Sequence, residues 1–324
     1  MKVLVTGAAG FIGSHLCEKL VSSGISVFGL DNYDHFYARA IKEKNISLLL
    51  SNPLFHFREL DICENEALAR LLKDNPCDLV VHLAAKTSAR LSLSKPLDYA
   101  DSNVKATFSV LDAMVQSGVK NIIFGSSSSV YGKTTVIPFR EDDLFDYAVS
   151  PYGCSKQCAE LAMKMYHNQY NFNVINLRFF TVFGPRERPD HLMYKLLYAL
   201  LTNRPMDFYG DEKITRDYIY IADAIEGIFS AISRLLEQKN KHNNIFEVYN
   251  IGSSKPVSLK ELKNILEKIT GAKTSLVPKP ETGADVPTTF ANIDRAKTFL
   301  NFNPTTSLEE GIKKFKDWMS KEIL

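Results

Sequence analysis

Tyr152 and Lys156 stand four residues apart, the spacing that puts two side chains on one face of a helix. Ser150 and Pro151 precede them as an N-cap and a first-turn proline, so the pair opens that helix. A tyrosine of ordinary pKa, roughly 10, is a poor base at neutral pH. A neighbouring ammonium, a helix N-terminus and an oxidised nicotinamide would each favour its phenolate. Tyr152 is therefore a candidate general base. The spacing alone also fits a surface pair. The run from Ser126 to Ser129, followed by Val130, Tyr131 and Gly132, tips the balance. It places four hydroxyls at the end of a strand, one crossover before the pair. Ser127, Tyr152 and Lys156 form the candidate catalytic set.

Gly7, Gly10 and Gly13 supply a second constellation. They follow one strand and open a helix, where small residues let the backbone approach a pyrophosphate at the helix N-terminus. A loop of small residues has the same look. The strand–turn–helix context, and Asp31 ending the next strand, favour a dinucleotide site. An acidic residue there accepts from both ribose hydroxyls and repels a 2′-phosphate, so NAD is expected rather than NADP. Arg39 is the nearest basic residue and reads as too far along to reverse this. Asp61 and Ile62 close the third strand, by the adenine. Leu83, Ala84 and Ala85 close the fourth, along the cofactor.

These residues need a particular scaffold. Apolar, β-branched and aromatic runs at residues 3–5, 26–30, 55–60, 79–83, 121–124 and 174–177 read as strands. Helical patterns such as 12–22 and 104–116 lie between them. The alternation predicts an α/β fold with a Rossmann-type, doubly wound parallel sheet and right-handed crossovers. Regularity breaks at Phe179. Helices are expected at 191–201, 222–236, 258–270 (stopped by Gly271) and 308–321, with a strand at 206–209. The expected division is a cofactor domain over 1–178, rejoined by parts of 217–252, and a smaller C-terminal α/β substrate domain over 179–324. That second domain should dock over the carboxyl ends of the sheet.

Composition narrows the class. The chain has 324 residues, 45% hydrophobic and 23% charged, with a net charge of +2. Near-neutrality gives no electrostatic case for nucleic acid or an anionic membrane. No apolar run nears the roughly 18 residues of a membrane span. The first strand begins within a few residues of Met1, so no leader peptide is expected. Five cysteines (an odd number) and seven histidines show neither disulfide-framework nor metal-ligand spacing, which fits a reducing cytoplasm and no metal. Cys154 and Cys158, four apart on the catalytic helix, read as small core residues rather than a redox switch.

Taken together, the glycine turn, the serine strand and the Tyr152/Lys156 pair resemble the extended short-chain dehydrogenase/reductase family. His82 to Ala85, Leu177 to Phe180, Arg216 to Asp223 and the segment beginning at Asp285 are similar to its sugar-nucleotide epimerases. The resemblance implies NAD as cofactor, a UDP-sugar substrate and a homodimer built through the helices at 104–116 and 155–170. It implies that Ser127 assists at the sugar hydroxyl, Tyr152 is the base and Lys156 holds the nicotinamide ribose. Phe11, Ile12, Asn32, Lys86, Asn103 and Phe179 join the cofactor set. Arg216 would bind the diphosphate, Asp285 would lie near the uridine ribose, and Arg90 and Lys195 join the substrate set.

Three features point within the family. Ser128 and Ser129 replace the acidic residues of related dehydratases and decarboxylases, so acid-assisted elimination lacks its proton carrier. Residues 179–190, with Thr181 and Arg188, resemble UDP-glucuronate 4-epimerases; neutral-hexose enzymes usually carry Asn at position 181. Thr87 to Arg90 resembles the same group, although Lys86 stands where it usually has Gln. Arg188 could pair a sugar carboxylate. It fits equally a phosphate or the loop carboxylate of Asp190, with Arg186 as an alternative partner. The expected reaction oxidises C4, turns the 4-keto sugar about its diphosphate and returns hydride to the other face. Arg188, Thr181 and Ser128 would hold the carboxylate near the ring plane and disfavour decarboxylation. Competing readings are a neutral or N-acetyl hexose 4-epimerase, a net keto-sugar reductase and a non-catalytic NAD-binding regulator.

Overall fold

The computed structural model describes residues 1–324 except 135, 144–146, 210–211, 241–243, 280–282 and 284–285. The six apolar runs form β1 (Lys2–Thr6), β2 (Ser26–Asp31), β3 (Phe55–Glu59), β4 (Leu79–His82), β5 (Asn121–Ser127) and β6 (Asn173–Phe179). A further strand, β10 (Phe246–Ile251), pairs with β6. Among the described residues the seven form one parallel sheet in the order β10-β6-β5-β4-β1-β2-β3. β1 and β5 are buried almost throughout because parallel crossovers cover both faces of the sheet.

The two faces carry separate cores. Val3 and Val5 pack under α1 (Phe11–Ser22) and α9 (Ile221–Asn240), with Leu16, Leu20, Ile225 and Ile228. Leu4 points the other way. It shares a core with Leu68 of α3 (Asn65–Asp74), Val110 and Met114 of α6 (Ala106–Ser117) and Met163 of α7 (Pro151–Tyr170). This is the two-residue alternation of a strand read out on opposite faces. The short helices α2 (Arg39–Ile46), α4 (Ala89–Ser94) and α5 (Pro96–Tyr99) sit at the carboxyl ends of β2 and β4. A π-helical turn, Ala100–Lys105, leads into α6, so the helix expected from 104 is preceded by a wider coil.

After β6 the chain builds a second layer. β7 (Thr181–Phe183), β9 (Thr215–Tyr220) and β11 (Pro256–Ser258) form one small sheet; β8 (Met206–Tyr209) and β12 (Leu276–Lys279) form another. With them pack α8 (Leu192–Thr202), α10 (Leu259–Thr270) and α12 (Leu308–Glu322), while α11 (Asp294–Leu300) lies against α9 and β10. The helix starts follow cap chemistry. Ser258 and Glu261 make a capping box, Ser307 accepts from Glu310, and Ser150 accepts from Gly153 with Pro151 following. Gly271 ends α10 in the left-handed region. No helix among the described residues is long and apolar enough to cross a membrane.

Candidate active site

The floor of the site is the turn between β1 and α1. Gly10 N–H donates to the Gly7 carbonyl and Ser14 N–H to that of Gly10. Gly7 has φ +72°, and a Cβ on Gly13 would lie 2.0 Å from the Gly7 oxygen. No side chain fits at position 13 without breaking the turn. The space kept open fronts the N-terminus of α1, with its free N–H groups and positive dipole end.

That floor opens into a cavity of about 820 Å³ lined by Gly7, Gly10, Phe11, Ile12 and Gly13, by Asp31, Asn32, Asp61 and Ile62, and by Leu83 to Lys86 and Phe179. Asp31 accepts from the backbone of Ala9 (3.3 Å) and Tyr33 (2.8 Å) and lies 3.4 Å from Lys42 Nζ. The basic residue beside Asp31 is thus Lys42 rather than Arg39. Arg39 forks onto Glu59 and pairs Glu43 on the outer face of α2. Lys42, three residues later, comes round to the sheet side. Asn32 donates to Asp61, tying β2 to β3. Lys86 Nζ lies 3.4 Å from Asp34 and 3.5 Å from Asp98, so its charge is already met by carboxylates.

Asn103 does not line this cavity. It is 3% exposed, accepts from Lys86 N–H and donates to the Lys86 carbonyl and to Ser155 Oγ. Its amide clamps the end of β4 to α7 from behind. His82 is buried between Thr6 (2.8 Å) and Thr107 (3.2 Å). Thr6 Oγ1 already accepts from Leu83 and Ala84, so its own proton goes to His82 Nδ1. Thr107 donates to Asn103, so Nε2 of His82 carries the hydrogen. Burial, with the Lys156 charge, pushes His82 down to about 3.

The catalytic set converges on the same cavity. Ser127 ends β5, and its hydroxyl hydrogen-bonds the Tyr152 phenol. Tyr152 N–H is held by Ser92 Oγ at 3.1 Å. Lys156 Nζ donates to the Gly125 carbonyl at 2.8 Å and lies over the Phe124 ring. Burial raises the Tyr152 phenol above its ordinary value, while the Ser127 hydrogen bond and the Arg188 charge pull it down. Ser127 and Arg188 are thus added to the ammonium, helix N-terminus and nicotinamide that the sequence named. Lys156 is itself pushed down to about 7 by burial, opposed by the Glu160 carboxylate.

Around this set stand Arg90, Ser128, Thr181, Arg188, Lys195 and Arg216, all lining the cavity. Arg188 binds Asp190 through Nε (2.9 Å) and Nη2 (2.8 Å), donates to Thr87 Oγ1 through Nη1 and stacks on Phe36. Of its sequence readings, the loop-carboxylate partner is the one the structure contains. Arg186, the alternative, turns away to Glu18 and Ser14 on α1. Glu187 is buried against His191 at 3.0 Å, a pair that spacing did not single out. Asp285 lies outside the described residues. Cys154 is exposed and Cys158 half-buried, on the face of α7 opposite the catalytic pair, so neither is the core residue expected. A buried phenol and ammonium, a hydroxyl and a phosphate-sized helix terminus in one cavity suit hydride transfer at a hydroxyl-bearing carbon.

The family model described as "NAD dependent epimerase/dehydratase family" matches residues 3–252. A UDP-glucuronate 4-epimerase of Thermodesulfobacterium geofontis is 35% identical over 321 residues, covering 99% of this chain and 96% of the relative. The solved structure of UDP-glucuronic acid 4-epimerase from Bacillus cereus, in complex with UDP-glucuronic acid and NAD, superposes with a TM-score of 0.91 at 36% identity, covering 99% of both chains. UDP-glucose 4-epimerase from Thermotoga maritima, solved with UDP-glucose, gives 0.89 at 29% identity, covering 100% of both.

Proposed function

The chain belongs to the NAD-dependent epimerase/dehydratase family, and from that premise we propose that it interconverts UDP-glucuronate and UDP-galacturonate through a 4-keto intermediate. The observation that carries this reading is Arg188 beside Ser127, Tyr152 and Lys156 in one cavity whose serine run holds no acidic residue. Similarity to UDP-glucuronate 4-epimerases over nearly the whole chain supports it.

The residues present fit NAD. The Gly7–Gly13 cradle would take the pyrophosphate, Asp31 would hold the adenosine ribose, and the ends of β4 to β6, which line the cavity, would border the nicotinamide. Bound NAD supplies the acceptor, and then the donor, of the C4 hydride. Tyr152 takes the proton of the sugar 4-hydroxyl and later returns one, with Ser127 orienting that hydroxyl. Lys156 holds the nicotinamide ribose. Arg216 and Lys195 hold the diphosphate while the 4-keto sugar turns over. A 4-keto uronate is a β-keto acid, prone to lose carbon dioxide. Thr181 and Ser128, with the Arg188 charge, keep its carboxylate near the ring plane. Because Asp190 takes the Nε and Nη2 edge of the Arg188 guanidinium, the sugar must displace it or use the guanidinium's charge.

Residues 1–178 and parts of 217–252 serve the cofactor, and 179–324 mainly the nucleotide sugar. Two copies associate through α6 and α7. Phe108, Leu161 and Met165 are 41%, 64% and 43% exposed there, more apolar surface than an isolated helix pair usually shows to water. The workplace is the cytoplasm, where nucleotide sugars are the free substrate.

The test is incubation with UDP-glucuronate and resolution of the nucleotide sugars formed. UDP-galacturonate should accumulate to equilibrium with no net change in nicotinamide absorbance. Turnover of UDP-glucose or its N-acetyl analogue alone would replace this reading by the neutral-hexose one, which the Arg188–Asp190 pair and the Thermotoga maritima similarity favour. Stoichiometric consumption of added reduced cofactor would make it a reductase.

A further inference from the structure

Beneath the catalytic pair lies a buried polar network that the reaction above does not use. Glu160 sits on α7 one turn beyond Lys156 and is 5% exposed. Its Oε1 accepts from Ser126 Oγ (2.5 Å) and Arg178 Nε (3.0 Å), and its Oε2 from Arg178 Nη2 (2.9 Å). This is the two-pronged fork of a guanidinium on a carboxylate. Arg178, on β6, gives its Nη1 to Tyr131 Oη (3.0 Å) and the Glu141 carbonyl (3.2 Å). Tyr131 in turn donates to Asn250, at the end of β10. The ion pair is neutral in sum but oriented. Its negative end adjoins the Lys156 turn, and its positive end is absorbed by oxygens farther along.

A buried ion pair is a weak source of stability, because desolvation offsets most of the attraction. Its position suggests another use. Lys156 is 3% exposed, and its ammonium donates to the Gly125 carbonyl and lies over the Phe124 ring. The titratable and charged groups facing it are Tyr152 and Glu160 on its own helix, His82 on β4 and, through Glu160, Arg178 on β6. His82 is held neutral by its two threonines, and Tyr152 is a phenol at rest. Glu160 is the anion of this group, and it opposes the loss of the Lys156 proton that burial promotes.

We propose that Glu160 is a positioning residue for the active site: anchored by Arg178 and Ser126, it is the fixed negative charge that keeps Lys156 a cation able to hold the nicotinamide ribose. The proposal rests on the NAD reading and not on the identity of the sugar.

The experiment measures NAD affinity by calorimetry against pH, on protein stripped of nucleotide, for wild type, Glu160→Gln and Glu160→Asp. Melting temperatures are taken in parallel. In the wild type, affinity should fall as pH rises through about 7, where Lys156 gives up its proton. In Glu160→Gln that fall should come about one pH unit or more earlier, since the charge that favours the ammonium is gone. Glu160→Asp should return the midpoint most of the way. Coincident midpoints in all three proteins, with only a lowered melting temperature in Glu160→Gln, would reduce the network to a structural one and overturn the proposal. No nucleotide sugar enters the measurement, so a wrong sugar assignment leaves the outcome interpretable.

Discussion

At the level of single side chains, Tyr152 stands between opposed pulls. Burial favours the phenol, while the Ser127 hydroxyl and the Arg188 guanidinium favour the phenolate. Replacing it with phenylalanine keeps the ring in its slot and removes the proton carrier. Tyr152→Phe should therefore bind NAD as the wild type does and lose about 10²–10⁴-fold in turnover, read from calorimetry and the product assay side by side. Wild-type turnover would remove Tyr152 from the mechanism. Much of this set was legible in the sequence, because its residues are tied to local structure. A strand end, a capped helix start and a four-residue interval place Ser127, Tyr152 and Lys156 by themselves. Lys42 and Glu160 were not legible. Their roles depend on which way α2 and α7 are rotated against the sheet, and on partners 11 and 18 residues away. Asn103 is a like case: the family resemblance put it in the cofactor set, and its clamp between Lys86 and Ser155 depends on how the π-helical turn packs.

Among the elements, the β1–α1 turn has the least freedom. Position 13 faces the Gly7 carbonyl so closely that even a methyl group must push the turn open. Gly13→Ala should lower stability by about 1–3 kcal/mol, the usual cost of overpacking, and abolish measurable NAD binding. Thermal melting and calorimetry check the two effects. Unchanged NAD affinity would mean that the pyrophosphate lies elsewhere. Most strands of the first half were readable because they are dense apolar runs, with β1, β4, β5 and β6 buried nearly throughout; β3, at the sheet edge, buries Phe55 and leaves His56, Arg58 and Glu59 exposed. β7, β9, β10 and β11 were not. β7 and β11 have three residues each, and β9 carries Arg216 and Asp217 within the strand. β10 begins half-buried, so its first residues lack the continuous apolar signature of its neighbours.

For the whole molecule, the proposed two-fold assembly puts the apolar stripe of α7 at its centre. Leu161→Glu, with Met165→Glu in the same protein, should give a monomer by sedimentation with the fold unchanged by circular dichroism, since both side chains already stand in solvent within one chain. A dimer that survives both charges would move the interface elsewhere. The order of the large sheet has a different consequence. β6 takes its outer partner from β10, with Val174 matched to Phe246, and everything from β7 to α9 is made in between. During synthesis, β6 must wait with its outer row of N–H and carbonyl groups unmatched until some seventy further residues have left the ribosome. The cofactor half, although it comes first in the chain, is among the last parts of the protein that can finish folding.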